Sequence, residues 1–384
     1  MTSSLPLAGL KVTEIGHSVA GPFAGAVLAQ LGAEVVKIET PELGDPARGW
    51  GPPYHGSTAV VFDVLNRDKR SIAADLKDPA WARAVRGHVL GRDAVIQNLR
   101  PGATERLGLG AAELTAARPS LIYCNLSAFG QRGPMRGRPG YDSLMQAYAG
   151  LMSMTGEEGG GPVRVGASVV DMGAGMWAAI GILAALRERE RTGIGGIVDT
   201  SLFETTLAWL TIPLATFLAS GEVSGRLGTA AAQIVPYQGF ATADGYLMIG
   251  AGTDGLFRRL AEALGRPGWP DDPRFVTNGA RVRNRAVLVP QIAAIVASAP
   301  TAAWIAKLDA AGVPCAKQQS LDDVVTDPQT MALEMIQHDR AGARRFVGLP
   351  VSFNGARPPL RLGSPALGEH NDALGVPARE PGES

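Results

Sequence analysis

Asp171 stands alone among small and apolar residues in the stretch GASVVDMGAG, residues 166–175. Two valines precede it, and Met172, Gly173 and Gly175 follow. The next run, MWAAIGILAALRERERTG, has helical spacing. An acid at the head of an apolar helix has three readings. It is an N-cap, the commonest job of Asp at a helix start. Or it is a buried acid paired with one of the chain's many arginines. Or it is a nucleophile or a general acid–base group. A capping Asp needs no uncrowded front, so the glycines at 173 and 175 fit the third reading by leaving space before the carboxylate. A carboxylate is a competent covalent nucleophile when the leaving group is good, and a thioester supplies one.

A second motif, GAGTDG at 250–255, matches the glycine spacing of a dinucleotide fingerprint and lies between a strand and a helix. Its strand, however, reads as half of a hairpin, and the turn-rich GRPGWPDDPRF follows the helix where a second parallel strand belongs. The alternatives are a tight turn that caps the helix, or a glycine loop that lets backbone approach a ligand. Five scattered histidines form no HxxxH pair, so no metal site is expected. Cys124 in LIYCNL and Cys315 in GVPCAK offer neither a disulfide framework nor a CxxC pattern.

The elements that must position Asp171 alternate in type. LKVTEIG (10–16), EVVKIE (34–39), RDAVIQNL (92–99), SLIYCNLSAFG (120–130) and GGIVDTSL (195–202) read as strands, and GPFAGAVLAQLGA (21–33) as a helix of small residues. The first strand, helix and second strand make a βαβ unit, so the prediction is a doubly wound, Rossmann-like α/β domain. Arg187, Arg189 and Arg191 suit the last turn of the Asp171 helix, and Gly193 its end. From 228 the pattern changes to a hairpin, VPYQGFATADGYLMIGAG, and three helices, which predicts a smaller α+β domain over 228–325. The large domain is then 1–203 with the tail 330–384, and 204–227 and 326–329 are linkers.

The chain has 384 residues, 46% of them apolar, which is enough for two cores. Its 36 basic and 36 acidic residues leave no basic excess, which argues against nucleic acid or a membrane surface as partner. MTSSLPLAGLKV lacks the pattern of a signal peptide, and LAWLTIPLATFLA (207–219) is too short to span a bilayer. The expectation is a cytoplasmic protein.

Six segments, in order, carry a family resemblance: LAGLKVTEIGHSVAGPFAGAVLAQLGAEVVKIETPELGDPARGW, NRDKRSIAADLKDP, NLRPGATERLGLG, VVDMGAGMWAAIGILAAL, GVPCAKQQSLDDVVTDPQ and LGEHNDAL. Together they resemble the family III CoA-transferases, the group of formyl-CoA transferase and the carnitine CoA-transferase type, over essentially the whole chain. The resemblance implies that Asp171 is the catalytic residue. It would attack the acyl-CoA thioester to give a mixed anhydride, then an aspartyl-CoA thioester, and pass CoA to a carboxylic acid acceptor. The helix N-terminus would favour the charged carboxylate by roughly 0.3–1 kcal/mol. The glycines would leave room for the CoA sulfur and the acyl groups.

The same resemblance implies coenzyme A contacts at Ala20, Lys77, Asn98, Leu99, Arg100, Arg106 and Tyr141, with the arginines on phosphate. It places a mobile glycine loop over the site, here Gly250 and Gly252, although the family's loop is a run of consecutive glycines. It implies a homodimer of interlocked chains, with no metal, nicotinamide or flavin. Val19 replaces a glutamine of formyl-CoA transferases, which counts against a formyl/oxalate pair. His17 stands just upstream. Succinyl-CoA is the expected donor, and itaconate, mesaconate, malate or a larger monoacid the expected acceptor. The rival within the superfamily is an α-methylacyl-CoA racemase, which needs a histidine where this chain has Tyr141; phenols as a class are poorly matched to that proton transfer near neutral pH. An oxidoreductase resting on GAGTDG and a non-catalytic CoA-binding protein are the other readings.

Overall fold

The computed structural model describes residues 5–339, 342 and 344–374; residues 1–4 and 375–384 of the expected large domain lie outside them. The chain divides into two compact units. The first comprises residues 1–151, 165–212 and 328–384, and the second 152–164 and 213–327.

The first unit is built on a parallel sheet of β1 (Lys11–Ile15), β2 (Glu34–Glu39), β3 (Lys69–Ala73), β4 (Ala94–Gln97), β5 (Ile122–Ser127) and β6 (Gly196–Ser201). Its order is β3-β2-β1-β4-β5-β6, the doubly wound arrangement. The direction in which the chain adds strands reverses between β1 and β4, and the crevice beyond their carboxyl ends is where such sheets hold ligands. The predicted strands match β1, β2, β4, β5 and β6. β3 went unread because its KRSIA opens on two cations, yet Lys69 is buried.

The helices of this unit are α1 (Ala20–Gln30), α2 (Val60–Asn66), α3 (Pro79–Leu90), α4 (Ala103–Arg106), α5 (Ala111–Ala117), α6 (Asp142–Tyr148), α7 (Val169–Thr192) and α8 (Leu202–Trp209). One face of the sheet packs Val12, Val35, Ile96 and Cys124 against Leu28 of α1 and Ala178 and Ile182 of α7. The other packs Ile38, Ile72 and Tyr123 against Trp81 and Val85 of α3 and Leu114 of α5. Edge strand β3 is covered by the tail: the Asn371 side chain accepts from the Ala73 amide at 2.8 Å, and the Leu362 amide donates to Asp68 at 2.8 Å.

α1 and α7 touch backbone to backbone. A methyl group on Gly175 would lie 2.7 Å from the Ala20 carbonyl oxygen and 3.0 Å from the Ala24 nitrogen, and one on Gly173 would lie 2.6 Å from the Trp209 ring. The glycines around Asp171 therefore serve helix packing. The expectation that they clear space for substrate is corrected: that space is filled by α1 and α8. α7 ends as expected, with Gly193 at φ 74° donating to the Arg189 carbonyl. It is also the one helix among the described residues long and apolar enough to cross a membrane, a property the sequence reading assigned to no segment. Here Val170, Ala174, Ala178 and Ile182 are buried in the unit's core.

The second unit has an antiparallel sheet of β7 (Tyr237–Ala241), β8 (Tyr246–Gly250) and β9 (Cys315–Lys317), in the order β9-β8-β7. Phe240, Leu247, Phe257, Ile292 and Trp304 form its core with the helices Asp254–Ala263, Arg285–Val296 and Thr301–Ala310. The expected linker 204–227 is instead largely helical, in α8 and the helix Thr211–Ser220. The division falls at 212/213 and 327/328, and the segment 152–164 joins the second unit.

Gly175→Ala is expected to lower thermal stability by about 1–3 kcal/mol, because α1 backbone cannot yield to the added carbon. An unchanged or raised melting temperature, as helix propensity alone would give, would remove the backbone contact from the account.

Candidate active site

Asp171 is the third residue of α7, within the first turn, so it is not the N-cap. That position is held by Ser168, whose side chain makes no capping bond. The cap comes from another helix. Asp142, the first residue of α6, accepts the Val170 and Asp171 amides on Oδ2 at 2.8 and 3.2 Å. Its Oδ1 accepts from Gln146 Nε2 at 2.5 Å, and both side chains are buried. The helix N-terminus thus favours the charge of Asp142, correcting the expectation that it favours that of Asp171.

Among the described residues the Asp171 carboxylate has no ion-pair or hydrogen-bond partner, which removes the arginine-paired reading. Burial, and then the negative Asp142 beside it, push its pKa up to about 7. A carboxyl held this way is poised between charged and neutral forms near neutral pH, as acid–base and nucleophilic groups are.

Asp171 lines a cavity of about 230 Å³ with Asp142, Tyr141, Ser143, Trp50 and the turn that joins β1 to α1, His17 to Ala20. The cavity opens at the carboxyl ends of β1, β4 and β5, the switch point of the sheet. Asn98, expected to contact CoA, also lines it, but its side-chain amide is used by the protein. Oδ1 accepts the His17 amide and Nδ2 donates to the His17 carbonyl, each at 2.9 Å. Burial holds the His17 imidazole below its ordinary pKa, against the opposing pull of Asp45.

A second, more apolar cavity of about 470 Å³ adjoins the ends of β1, β2, β3 and β4. Leu43, Leu76, Leu99 and Leu107 line it with Lys77, and His17 lines both cavities. So Asp171, Ala20, Asn98 and Tyr141 come together in one cavity, and Lys77 and Leu99 in the next. Arg100 and Arg106 are exposed and line neither.

Gly250 ends β8, and Thr253 caps the following helix by accepting the Leu256 amide at 3.1 Å. The strand before GAGTDG is antiparallel to its neighbours, unlike the parallel strand of a dinucleotide fingerprint. Cys124 is buried and its thiol pushed up to about 12, which leaves no thiolate for chemistry. No cluster of metal-ligating side chains occurs among the described residues.

Three contributors escaped the sequence reading: Asp142, Trp50 and Ser18. The signal for Asp142 was present in GYDSLMQAY, an acid opening a helical run, but nothing local indicated that it caps a different helix.

A doubly wound parallel sheet with a lone acid in a cavity at its switch point defines a protein of the α/β class with a candidate ligand site. Sequence comparison then fixes the family. The family model described as CoA-transferase family III matches residues 7–371, and the chain belongs to that family. It is 38% identical over 372 residues to succinyl-CoA:glutarate CoA-transferase of Mus musculus, covering 96% of this chain and 85% of the other. To succinyl-CoA–D-citramalate CoA-transferase of Chloroflexus aurantiacus it is 36% identical over 380 residues, covering 97% and 94%. The solved structure of a CAIB/BAIF family protein from Brucella suis superposes with a TM-score of 0.85 at 38% identity, covering 97% and 99%. The protein is a CoA-transferase.

Two outcomes follow from the Asp171–Asp142 pair. If the Asp171 carboxylate is the reacting form, kcat/KM for acyl-CoA is expected to rise as pH rises through about 7. Asp142→Asn removes the neighbouring charge and moves that limb to lower pH; a limb that stays in place would separate the two acids. For stability the sign is the reverse. The raised folded pKa is a penalty on the charged form, small at pH 4 and fully present above pH 7. Asp171→Asn therefore stabilises the fold at pH 8, by a gain on the order of a few kcal/mol, and has little effect at pH 4. Thermal denaturation at both pH values reads this directly.

Proposed function

We propose that the protein transfers CoA from succinyl-CoA to a five-carbon dicarboxylic acid of the glutarate type, through covalent intermediates on Asp171. The observation that carries the reading is the unpartnered Asp171 carboxylate in its cavity. The choice of substrates is supported by the glutarate and citramalate enzymes named above, both of which act with succinyl-CoA.

In the first step an Asp171 oxygen attacks the thioester carbonyl. The carbon–sulfur bond breaks, CoA leaves as thiolate, and an acyl-aspartyl anhydride remains. The thiolate attacks the aspartyl carbonyl, the anhydride carbon–oxygen bond breaks, and the donor acid departs. The acceptor carboxylate then attacks the aspartyl thioester, giving a new anhydride and thiolate. Attack of that thiolate on the acceptor's carbonyl yields the new acyl-CoA and restores Asp171. Each step exchanges one acyl bond for another of similar energy, with no redox change.

Lys77 and Leu99, in the larger cavity, are assigned to the nucleotide end of CoA, and Arg100 and Arg106 to its phosphates. Ala20, Asn98 and Tyr141 are assigned to the thioester end. The working form is a homodimer. In support, Met172, Met176, Trp177 and Ile180 form an apolar stripe on α7 that is 38–49% exposed in the single chain, the kind of contiguous apolar surface that marks an interaction site.

The test is incubation with succinyl-CoA and a panel of carboxylic acids, followed by mass spectrometry of the thioesters. Glutaryl-CoA is the expected product, and Asp171→Ala is expected to lose at least about 1,000-fold in rate. No new thioester, together with solvent deuterium entering the α-carbon of a branched acyl-CoA, would replace this reading by the racemase one.

A further inference from the structure

Beneath the cavity lies a group of buried charges that the reaction does not itself use. Glu14, Lys37 and Lys69 are fully buried, and Asp45 nearly so. Lys37 Nζ lies 2.8 Å from Glu14 Oε1, 2.8 Å from Asp45 Oδ2, and donates to the Gly16 carbonyl at 2.8 Å. Lys69 Nζ donates to Glu14 Oε2 and to the Pro22 carbonyl, both at 2.7 Å, and to Asn66 at 3.0 Å. Glu39 stands at the edge of the group but is bound by Arg48 and Ser71. Two ammonium groups thus meet two carboxylates. An arrangement of this kind costs desolvation that a packed apolar core avoids, so its retention points to geometry rather than stability.

The geometry is that of the β1–α1 turn. Ser18 has φ 69°, a left-handed conformation unusual outside glycine and worth roughly 1–3 kcal/mol of strain. Its amide donates to Asp45 Oδ1 at 2.9 Å. The same oxygen accepts the Ala47 amide at 2.9 Å and so starts the short helical turn Pro46–Gly49 that ends at Trp50. Lys37 holds the turn on one side, at Gly16, and through Asp45 on the other, at Ser18. Ser18, Val19 and Ala20 line the Asp171 cavity, and so does Trp50. One carboxylate therefore sets two of its walls.

We propose that Lys37 and Asp45 are a positioning pair for acyl transfer, holding the Ser18–Ala20 turn and Trp50 in register with Asp171. The inference rests on the CoA-transfer reading for its kinetic consequence but not for its structural one. Neither residue touches the reacting atoms. Their effect falls on how well the bound acyl group is aimed at Asp171, where small misplacements cost large factors in rate.

The experiment uses Asp45→Asn in the full chain, with two readouts. Hydrogen exchange is expected to accelerate at the amides of residues 17–20 and 47–50 while the amides of α7 keep wild-type protection. In the exchange assay kcat is expected to fall by about 10-fold or more, with KM for succinyl-CoA changed by less than about threefold. Adding Ser18→Gly, which removes the steric cost of the left-handed turn, is expected to recover part of the lost kcat. A purely structural role predicts the opposite: a lower melting temperature, wild-type kcat per folded molecule, and no recovery by glycine. If Asp45→Asn does not fold, Asp45→Ser keeps an acceptor oxygen, removes the charge and is read in the same way. Wild-type exchange rates at residues 17–20 in the variant would overturn the proposal. A wild-type enzyme that moves no CoA, with exchange at those amides still accelerated by Asp45→Asn, would instead overturn the functional reading and leave the positioning pair standing.

Discussion

The contact on which the site depends is the crossing of α1 and α7 at Gly175. With a side chain there the two helices would stand farther apart. At zero side-chain thickness, the start of α1 and the start of α7 lie side by side. The β1–α1 turn and Asp171 then face the same cavity at the switch point of the sheet. The sheet supplies the platform and the tail closes its edge, but the proximity of Asp171 and the turn is a property of this one crossing.

Around that crossing, charge is distributed with a consistent logic. The favourable helix terminus is occupied by Asp142, and the acid left without a partner is Asp171. Burial and a like charge make its anion costly, which raises its affinity for a proton. On the other side of the turn, four buried charges are mutually satisfied and hold backbone rather than substrate. The unit thus leaves the Asp171 carboxylate without a partner in the cavity while Glu14, Lys37, Asp45 and Lys69 pair among themselves, a local cost in stability that functional sites commonly carry.

Much of this was legible in the residues. Five of the six strands, the helix of small residues and the hairpin unit follow from apolar periodicity, and Asp171 was conspicuous as a lone acid among apolar neighbours. What escaped did so for physical reasons. β3 begins with Lys69 and Arg70, so its pattern reads as surface, although Lys69 is neutralised by a carboxylate fifty-five positions earlier. Asp142 caps a helix that starts twenty-seven residues later, a relation no local pattern encodes. Gly173 and Gly175 read correctly as sites of close approach, but sequence alone does not say whether a ligand or a helix makes the approach. Asn98 was found as a site residue and its task was not, because its partners, the His17 amide and carbonyl, come from a distant turn.

The central claim is that CoA passes through a covalent bond to Asp171, and the oxygen atoms record it. In the proposed sequence each turnover leaves one acceptor oxygen on the Asp171 carboxylate. The most direct measurement is therefore turnover with a heavy-oxygen-labelled acceptor acid, followed by proteolysis and mass spectrometry of the peptide that contains Asp171. The account predicts that this peptide becomes heavier by the mass of the label and that fragmentation places the label on Asp171. Continued transfer of CoA with an unlabelled Asp171 would contradict it.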